Sequence, residues 1–186
     1  MKEPGAAASV GVVRATDWRP AVWAQLGAAI DSMERAIDAC PDELWGDRSR
    51  FPEYWYLVYH TLFWLDYNMS DDPEEGFHPP EPFTLVEMSS EGLMPERVYT
   101  KEELRRYLEH GREKTRARIA GMSDEKASGT RRMGSSSQGS ELELLLYNMR
   151  HVQHHTAQLN LILRQVTSSE APRWVGKAKQ PLRDPA

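Results

Sequence analysis

The chain has little of what secreted, membrane-spanning or nucleic-acid-binding proteins usually need. It contains a single cysteine, Cys40, so no intramolecular disulfide can form, which fits a reducing compartment. The net charge is -5, whereas a nucleic-acid-binding chain usually carries a basic surface. The most apolar segment, residues 54–65, is too short to span a bilayer, and Glu3 and Pro4 make the first residues a poor signal peptide. We therefore expect a cytoplasmic protein with no nucleic-acid or membrane partner.

Four segments carry apolar residues at the three- and four-residue spacing of an amphipathic helix. They lie within residues 17–40, 52–70, 100–121 and 140–165. The second is apolar or aromatic nearly all round, which predicts a buried helix. Cys40 closes the apolar stripe of the first, so a buried structural thiol is favoured over a nucleophile.

Two of these helices have a sequence signature at their first turn. Thr100 is followed three residues later by Glu103, and Ser140 by Glu143. In such a capping box the hydroxyl accepts from one backbone N–H and the glutamate accepts from another. The pattern predicts helix starts at both places.

The segments between and beyond the helices have no regular period. Residues 70–100 are rich in proline, and a connection of this length in a compact domain is often functional. Residues 123–139 are predicted to form a polar, glycine- and serine-rich loop, and the C-terminal residues an extended tail with Trp174 packed against the helices. We therefore predict a disordered segment 1–16, a four-helix domain 17–177 and a C-terminal tail 178–186.

The fourth helix carries three histidines within five residues. His151 and His155 lie four residues apart and share a face, whereas His154 points away from it. Both imidazoles could be core side chains with hydrogen-bond partners or could lie on a solvated face; alternatively, they could present two ligands to one metal ion. A tight zinc site needs three or four protein ligands, so the metal hypothesis requires another residue.

His60 is the best third ligand that the sequence offers. It lies in the aromatic second helix, where the simplest explanation is a hydrogen bond to a tyrosine or a backbone carbonyl. When His60 is considered together with His151 and His155, a metal ion shared by the three residues becomes the better explanation. His78 lies in a proline-rich loop and His110 in a charged stretch, so neither is predicted to be a ligand.

Four amphipathic helices without a strand pattern predict an all-α bundle, a fold that builds metal sites from facing helices. His60 would then face His151 and His155, leaving coordination positions open for water or substrate. Asn148 and Gln158 share the ligand stripe and would either orient imidazoles or bond neighbouring helices. For a general base the sequence offers only Glu53 and Asp66, neither close to His60 along the helix.

The residues also resemble a known family, the DinB/YfiT-like superfamily of bacterial metal-binding four-helix bundles. The resemblance runs from about Trp18 to Lys177 and includes the segments PPEPF, YTKEELRRYLE and APRWVGKA. The matching motif residues are His60 in YHTLFWLDYNMS and, in RHVQHHTAQL, the HxxxHxxQL residues His151, His155, Gln158 and Leu159.

The resemblance implies an up-down-down-up bundle, a histidine triad that holds zinc, nickel or another divalent ion, and a homodimer. It also implies a small-molecule substrate, because the superfamily includes hydrolases and transferases that use a low-molecular-weight thiol. The sequence HHTAQ departs from the common HHRGQ form, which argues against the thiol-transferase branch. We therefore expect a metal-dependent hydrolase or thiol S-transferase. The alternative is a non-catalytic, dimeric metal-binding scaffold or stress protein.

Overall fold

The computed structural model describes residues 17–133, 137–167 and 171–183, with the backbone alone at residues 133 and 137. The segment 1–16, predicted to be disordered, lies outside the described residues. The described part is mostly helical, in agreement with the predicted all-α class. Its helices in chain order are α1 (Arg19–Ala39), α2 (Asp42–Trp45), α3 (Tyr54–Asn68), α4 (Pro73–Gly76), a 3-10 turn (Leu85–Met88), α5 (Lys101–Gly121), α6 (Asp124–Ser128) and α7 (Glu141–Val166). None of these helices has the length and apolar character needed to cross a membrane.

The four long helices α1, α3, α5 and α7 build the core. Both α1 and α3 pack against α5 and α7. No residue of α3 is exposed, which confirms the prediction that this helix is buried nearly all round. Its partly buried residues recur every three or four positions and therefore share one face. They are Tyr56, His60, Trp64 and Tyr67.

Both predicted capping boxes are present. The Thr100 hydroxyl accepts from the Glu103 backbone N–H at 3.2 Å, and the Glu103 carboxylate accepts from the Thr100 N–H at 2.8 Å. Ser140 and Glu143 make the same pair of bonds at the start of α7, at 3.1 and 2.6 Å. Each cap stabilises its helix by about 1 kcal/mol, and together they fix where α5 and α7 begin.

The prediction of a loop over residues 123–139 is wrong in part. Its described residues form α6 and an antiparallel hairpin of β1 (Thr130–Met133) and β2 (Ser137–Ser140), in which Thr130 lies opposite Ser140. The strands contain serine, glycine and arginine instead of alternating apolar residues, so no sequence period indicates them. Long-range contacts stabilise them: Arg131 donates to the carbonyls of Ser70 and Asp71 and pairs with Glu141.

The C-terminal residues 171–183 are extended, as predicted, but Trp174 is not packed against the helices. Its side chain is 70% exposed, and Val175 is buried in its stead at 7%. The Ala178 N–H donates to the Ala24 carbonyl of α1 at 2.9 Å. A Cβ at Gly27 would lie 2.7 Å from the Ala178 Cβ, so glycine permits this close approach.

Candidate metal centre

Three histidines from two helices converge at one place. His60 on α3 meets His151 and His155 on α7, and one ring nitrogen from each lies within 4.8 Å of the other two. The ring centroids are 5.3 Å apart for His60 and His151, 4.9 Å for His60 and His155, and 4.6 Å for His151 and His155. The three imidazoles that the sequence singled out therefore form one cluster, which could hold a metal ion.

Hydrogen bonds orient two of the three rings. Nδ1 of His60 contacts a carboxylate oxygen of Glu87, and Nδ1 of His155 lies 2.7 Å from the amide oxygen of Gln158. Because an oxygen acceptor holds the proton on Nδ1, Nε2 of each ring carries the lone pair that a metal needs. Nδ1 of His151 is buried and has no hydrogen-bond partner in the described residues.

Glu87 is a residue of the candidate site that the sequence did not reveal. Its side chain is 5% exposed and receives donors from three residues of α3: His60, the Tyr56 hydroxyl at 3.0 Å and the Trp64 indole at 3.3 Å. A carboxylate behind a histidine is the usual partner of a metal-binding imidazole. Glu87 lies in the aperiodic connection between α3 and α5, whose unusual length was the one available sign of a functional segment.

Burial keeps two of the three imidazoles, those of His151 and His155, neutral. Burial and, to a smaller extent, the neighbouring imidazoles lower the pKa of His151 to about 3. Burial also lowers the pKa of His155 to about 4, although the Gln158 oxygen opposes the shift. Both rings are therefore uncharged at neutral pH and present lone pairs instead of competing protons.

The cluster fits a divalent ion. Nitrogens bound tetrahedrally at ~2.0–2.1 Å lie roughly 3.3 Å from each other, so small side-chain rotations would close the observed separations. Three neutral imidazoles suit zinc, nickel, copper or iron. The partnerless nitrogen of His151 belongs to the same cluster, and a buried polar atom without a partner costs about 1–3 kcal/mol.

In the part of the chain that the structure describes, no further histidine, cysteine, aspartate or glutamate joins this group. His154 and His78 are exposed, and His110 contacts Asp66 at 3.2 Å. All three lie outside the cluster, as the sequence predicted. Three ligands are the number that a catalytic site provides when it keeps a position for substrate or water.

The two polar residues on the ligand stripe have different roles. Gln158 contacts an imidazole of the cluster, as one alternative predicted. Asn148 instead follows the other alternative: its amide oxygen accepts from Asn68 of α3 at 3.0 Å, and its amide nitrogen donates to the Leu144 carbonyl at 2.8 Å. Of these two residues, Gln158 is therefore the one that positions a histidine directly.

The residues considered for proton transfer or nucleophilic attack are engaged elsewhere. Glu53 accepts from the Trp55 indole at 2.6 Å, and Asp66 accepts from Lys114 at 2.5 Å. Cys40 is buried, and burial raises the pKa of its thiol to about 12, which confirms the structural thiol over the nucleophile.

A cavity of about 680 Å³ opens beside the cluster, a volume within the usual range for small-molecule sites. His60 and His151 form part of its wall. Aromatic side chains from α3 and α7, Trp64, Tyr67 and Tyr147, continue that wall. Most of the partly buried face of α3 is thus the inner surface of a cavity beside the histidine cluster.

No protein-family model matches the chain, and a search of curated proteins finds no matching relative. The geometry of the centre is therefore the basis for assigning its chemistry.

Proposed function

We propose that the protein binds one divalent ion, zinc or nickel foremost, through His60, His151 and His155 and acts as a metal-dependent hydrolase. One observation carries the proposal: three imidazole nitrogens lie within 4.8 Å of one another, and two of the rings, His60 and His151, line a cavity of about 680 Å³. A structural site would use a fourth protein ligand to close the coordination sphere. Three ligands beside a cavity favour catalysis over structural support.

The chain's own residues prepare this site for chemistry. A divalent ion bound there supplies Lewis acidity, which polarises a carbonyl group and lowers the pKa of a water molecule. Glu87 holds the Nδ1 proton of His60, so the ring keeps one tautomer and one orientation. Tyr56 and Trp64 in turn fix Glu87. The aromatic wall of the cavity would hold an apolar part of the substrate and exclude water from it.

We also propose that the chain is a DinB/YfiT-like protein whose four long helices form an up-down-down-up bundle. Contacts between α1 and α5 support opposite directions for these helices, because Arg19 donates to the Met122 carbonyl and Arg105 to Asp38. The start of each helix therefore lies beside the end of the other.

Contacts of α3 support the remaining two directions. Along α3 and α5 the partners advance together, since Tyr107 bonds Asp66 and Arg118 bonds the Met69 carbonyl. Between α3 and α7 the order of the partners is reversed. His60 contacts His155, whereas Asn68, further along α3, contacts the earlier residue Asn148 of α7. These relations support a bundle in which α1 is parallel to α7 and α3 is parallel to α5, the arrangement that a long α3–α5 connection permits.

The proposal is tested with protein purified without a polyhistidine tag, stripped by a chelator and reloaded with zinc or nickel. The loaded protein is screened against ester, amide and thiol-conjugate substrates, so that hydrolysis and thiol S-transfer are distinguished. We expect turnover in the loaded wild type and in His78→Ala, and none in His155→Ala. His78→Ala is the matched control, because it also removes one imidazole but one that lies outside the cluster.

The outcomes separate the competing functions. If the ion binds at the triad and no substrate class turns over, the non-catalytic metal-binding scaffold replaces the enzyme. If no ion binds, both hypotheses fail. A cytoplasmic homodimer stays a prediction, and sedimentation of the loaded protein measures the oligomeric state.

A further inference from the structure

A second cavity lies on the other side of His151. It measures about 630 Å³ and is formed by α1, α7 and the extended residues 174–175. Tyr147 and His151 line both cavities and separate them. Whatever occupies the second cavity therefore contacts a wall that the metal centre shares.

The second cavity differs from the first in charge. Among the described residues, four carboxylates and two guanidinium groups line the first cavity, whereas Arg150 is the one Asp, Glu, Lys or Arg residue that lines the second. Arg150 is exposed and makes no ion pair or hydrogen bond with the described residues. An unpaired guanidinium over an otherwise uncharged lining favours an anion, which it can bind through two parallel N–H donors.

The rest of the lining suits a flat apolar group. Trp174 is 70% exposed, and its indole contacts no other aromatic ring in the described residues. Ala28 and Ala29 of α1 are buried and offer small apolar side chains to the same cavity. A large exposed indole beside small apolar residues is a surface on which a ring or an acyl chain gains contact area.

We propose that this second cavity binds an organic anion, a carboxylate or a phosphate ester carried on a flat apolar body. Arg150 pairs with the anionic group, Trp174 covers the apolar body, and His151 lies at the inner wall. The proposed anion site goes beyond the proposed metal function, because neither Arg150 nor Trp174 belongs to the histidine cluster. It would place a second reactant or an effector beside a ring of the metal centre.

The test uses the full chain and three probes of similar shape: 3-phenylpropionate, phenyl phosphate and the uncharged 3-phenylpropanamide. Binding is followed by the NMR signals of the tryptophan indole N–H groups, with Trp174→Phe identifying the signal of interest. The comparison variants are Arg150→Gln and, as a matched control, Arg106→Gln, since Arg106 is also exposed and lies on α5, away from both cavities.

We expect at least one anionic probe to shift the Trp174 signal and the amide to bind about tenfold more weakly. Arg150→Gln should weaken anion binding by about tenfold and Arg106→Gln by less than about twofold. Binding of only one of the two anionic probes still supports the site and shows whether it prefers a carboxylate or a phosphate ester. Equal binding of the amide, unchanged binding in Arg150→Gln, or no binding of either anion overturns the proposal.

One further variant separates this inference from the proposed function. His60→Ala should lose the metal ion and keep anion binding, because His60 does not line the second cavity. If the anion binds only to metal-loaded wild type and is lost in His60→Ala, it binds the ion itself, and the second site is refuted while the metal function stands.

Discussion

Replacing Glu87 by glutamine should weaken metal binding without unfolding the protein. The substitution keeps the side-chain shape, so an amide oxygen can still accept from His60 and Trp64, while the amide NH₂ can donate to the Tyr56 hydroxyl oxygen. What is lost is the negative charge that makes the His60 ring a stronger donor to a cation. Removing such a partner usually lowers metal affinity by about 10–100-fold, or roughly 1.4–2.7 kcal/mol.

The assay is a competition between the protein and a chromophoric chelator for zinc, at fixed pH and ionic strength. The control is Glu91→Gln, which removes one carboxylate from the same connection at an exposed position. We expect Glu91→Gln to match wild type and Glu87→Gln to bind at least about tenfold more weakly, with similar melting temperatures for the metal-free proteins. If Glu87→Gln binds within about twofold of wild type, Glu87 does not act on a metal ligand, and its contact with His60 has no role in metal binding.

Three further predictions concern the other histidines of the cluster and a buried ion pair between α3 and α5. His155→Ala should release the ion on dialysis, whereas His110→Ala should retain it; equal retention by both would refute the assigned ligand set. Burial holds the pKa values of His151 and His155 at about 3 and 4, below the ordinary 6.5, so the unfolded chain binds protons first as pH falls. The free energy of unfolding of the metal-free protein should therefore decrease between pH 6.5 and 3, and equal urea midpoints at pH 7.5 and pH 5 would contradict this. Asp66→Asn should cost about 3 kcal/mol because it removes the buried carboxylate that pairs with the Lys114 ammonium group. The exposed Asp72→Asn should stay within about 0.5 kcal/mol of wild type, and a similar loss in both would contradict the importance of the buried ion pair.

Local sequence rules located the four long helices and two of the three clustered histidines, His151 and His155. The four-residue spacing of His151 and His155 fixes them on one face of a helix, whatever packs against it. Both capping boxes depend on residues three positions apart and are therefore visible in the chain itself. His60 required a further step, because its place opposite the pair depends on how two helices distant in the sequence pack.

Contacts between distant segments were not predictable in the same way. Glu87 meets His60 only because an aperiodic connection folds back over α3, and no spacing rule applies to such a segment. The β1–β2 hairpin is stabilised by Arg131 through carbonyls that lie about sixty residues earlier in the chain. Trp174 was expected to be buried on hydrophobicity alone, yet Val175 occupies the buried position beside it. Hydrophobicity shows which residues can be buried, and the backbone path decides between neighbours.

Anomalous scattering from crystals of tag-free, metal-loaded protein tests the proposed metal centre most directly. We predict a single strong peak about 2 Å from one ring nitrogen each of His60, His151 and His155, and the absorption edge names the element. A peak at another place, or no peak among these three rings in protein that has been loaded with zinc or nickel, would contradict the proposed metal centre.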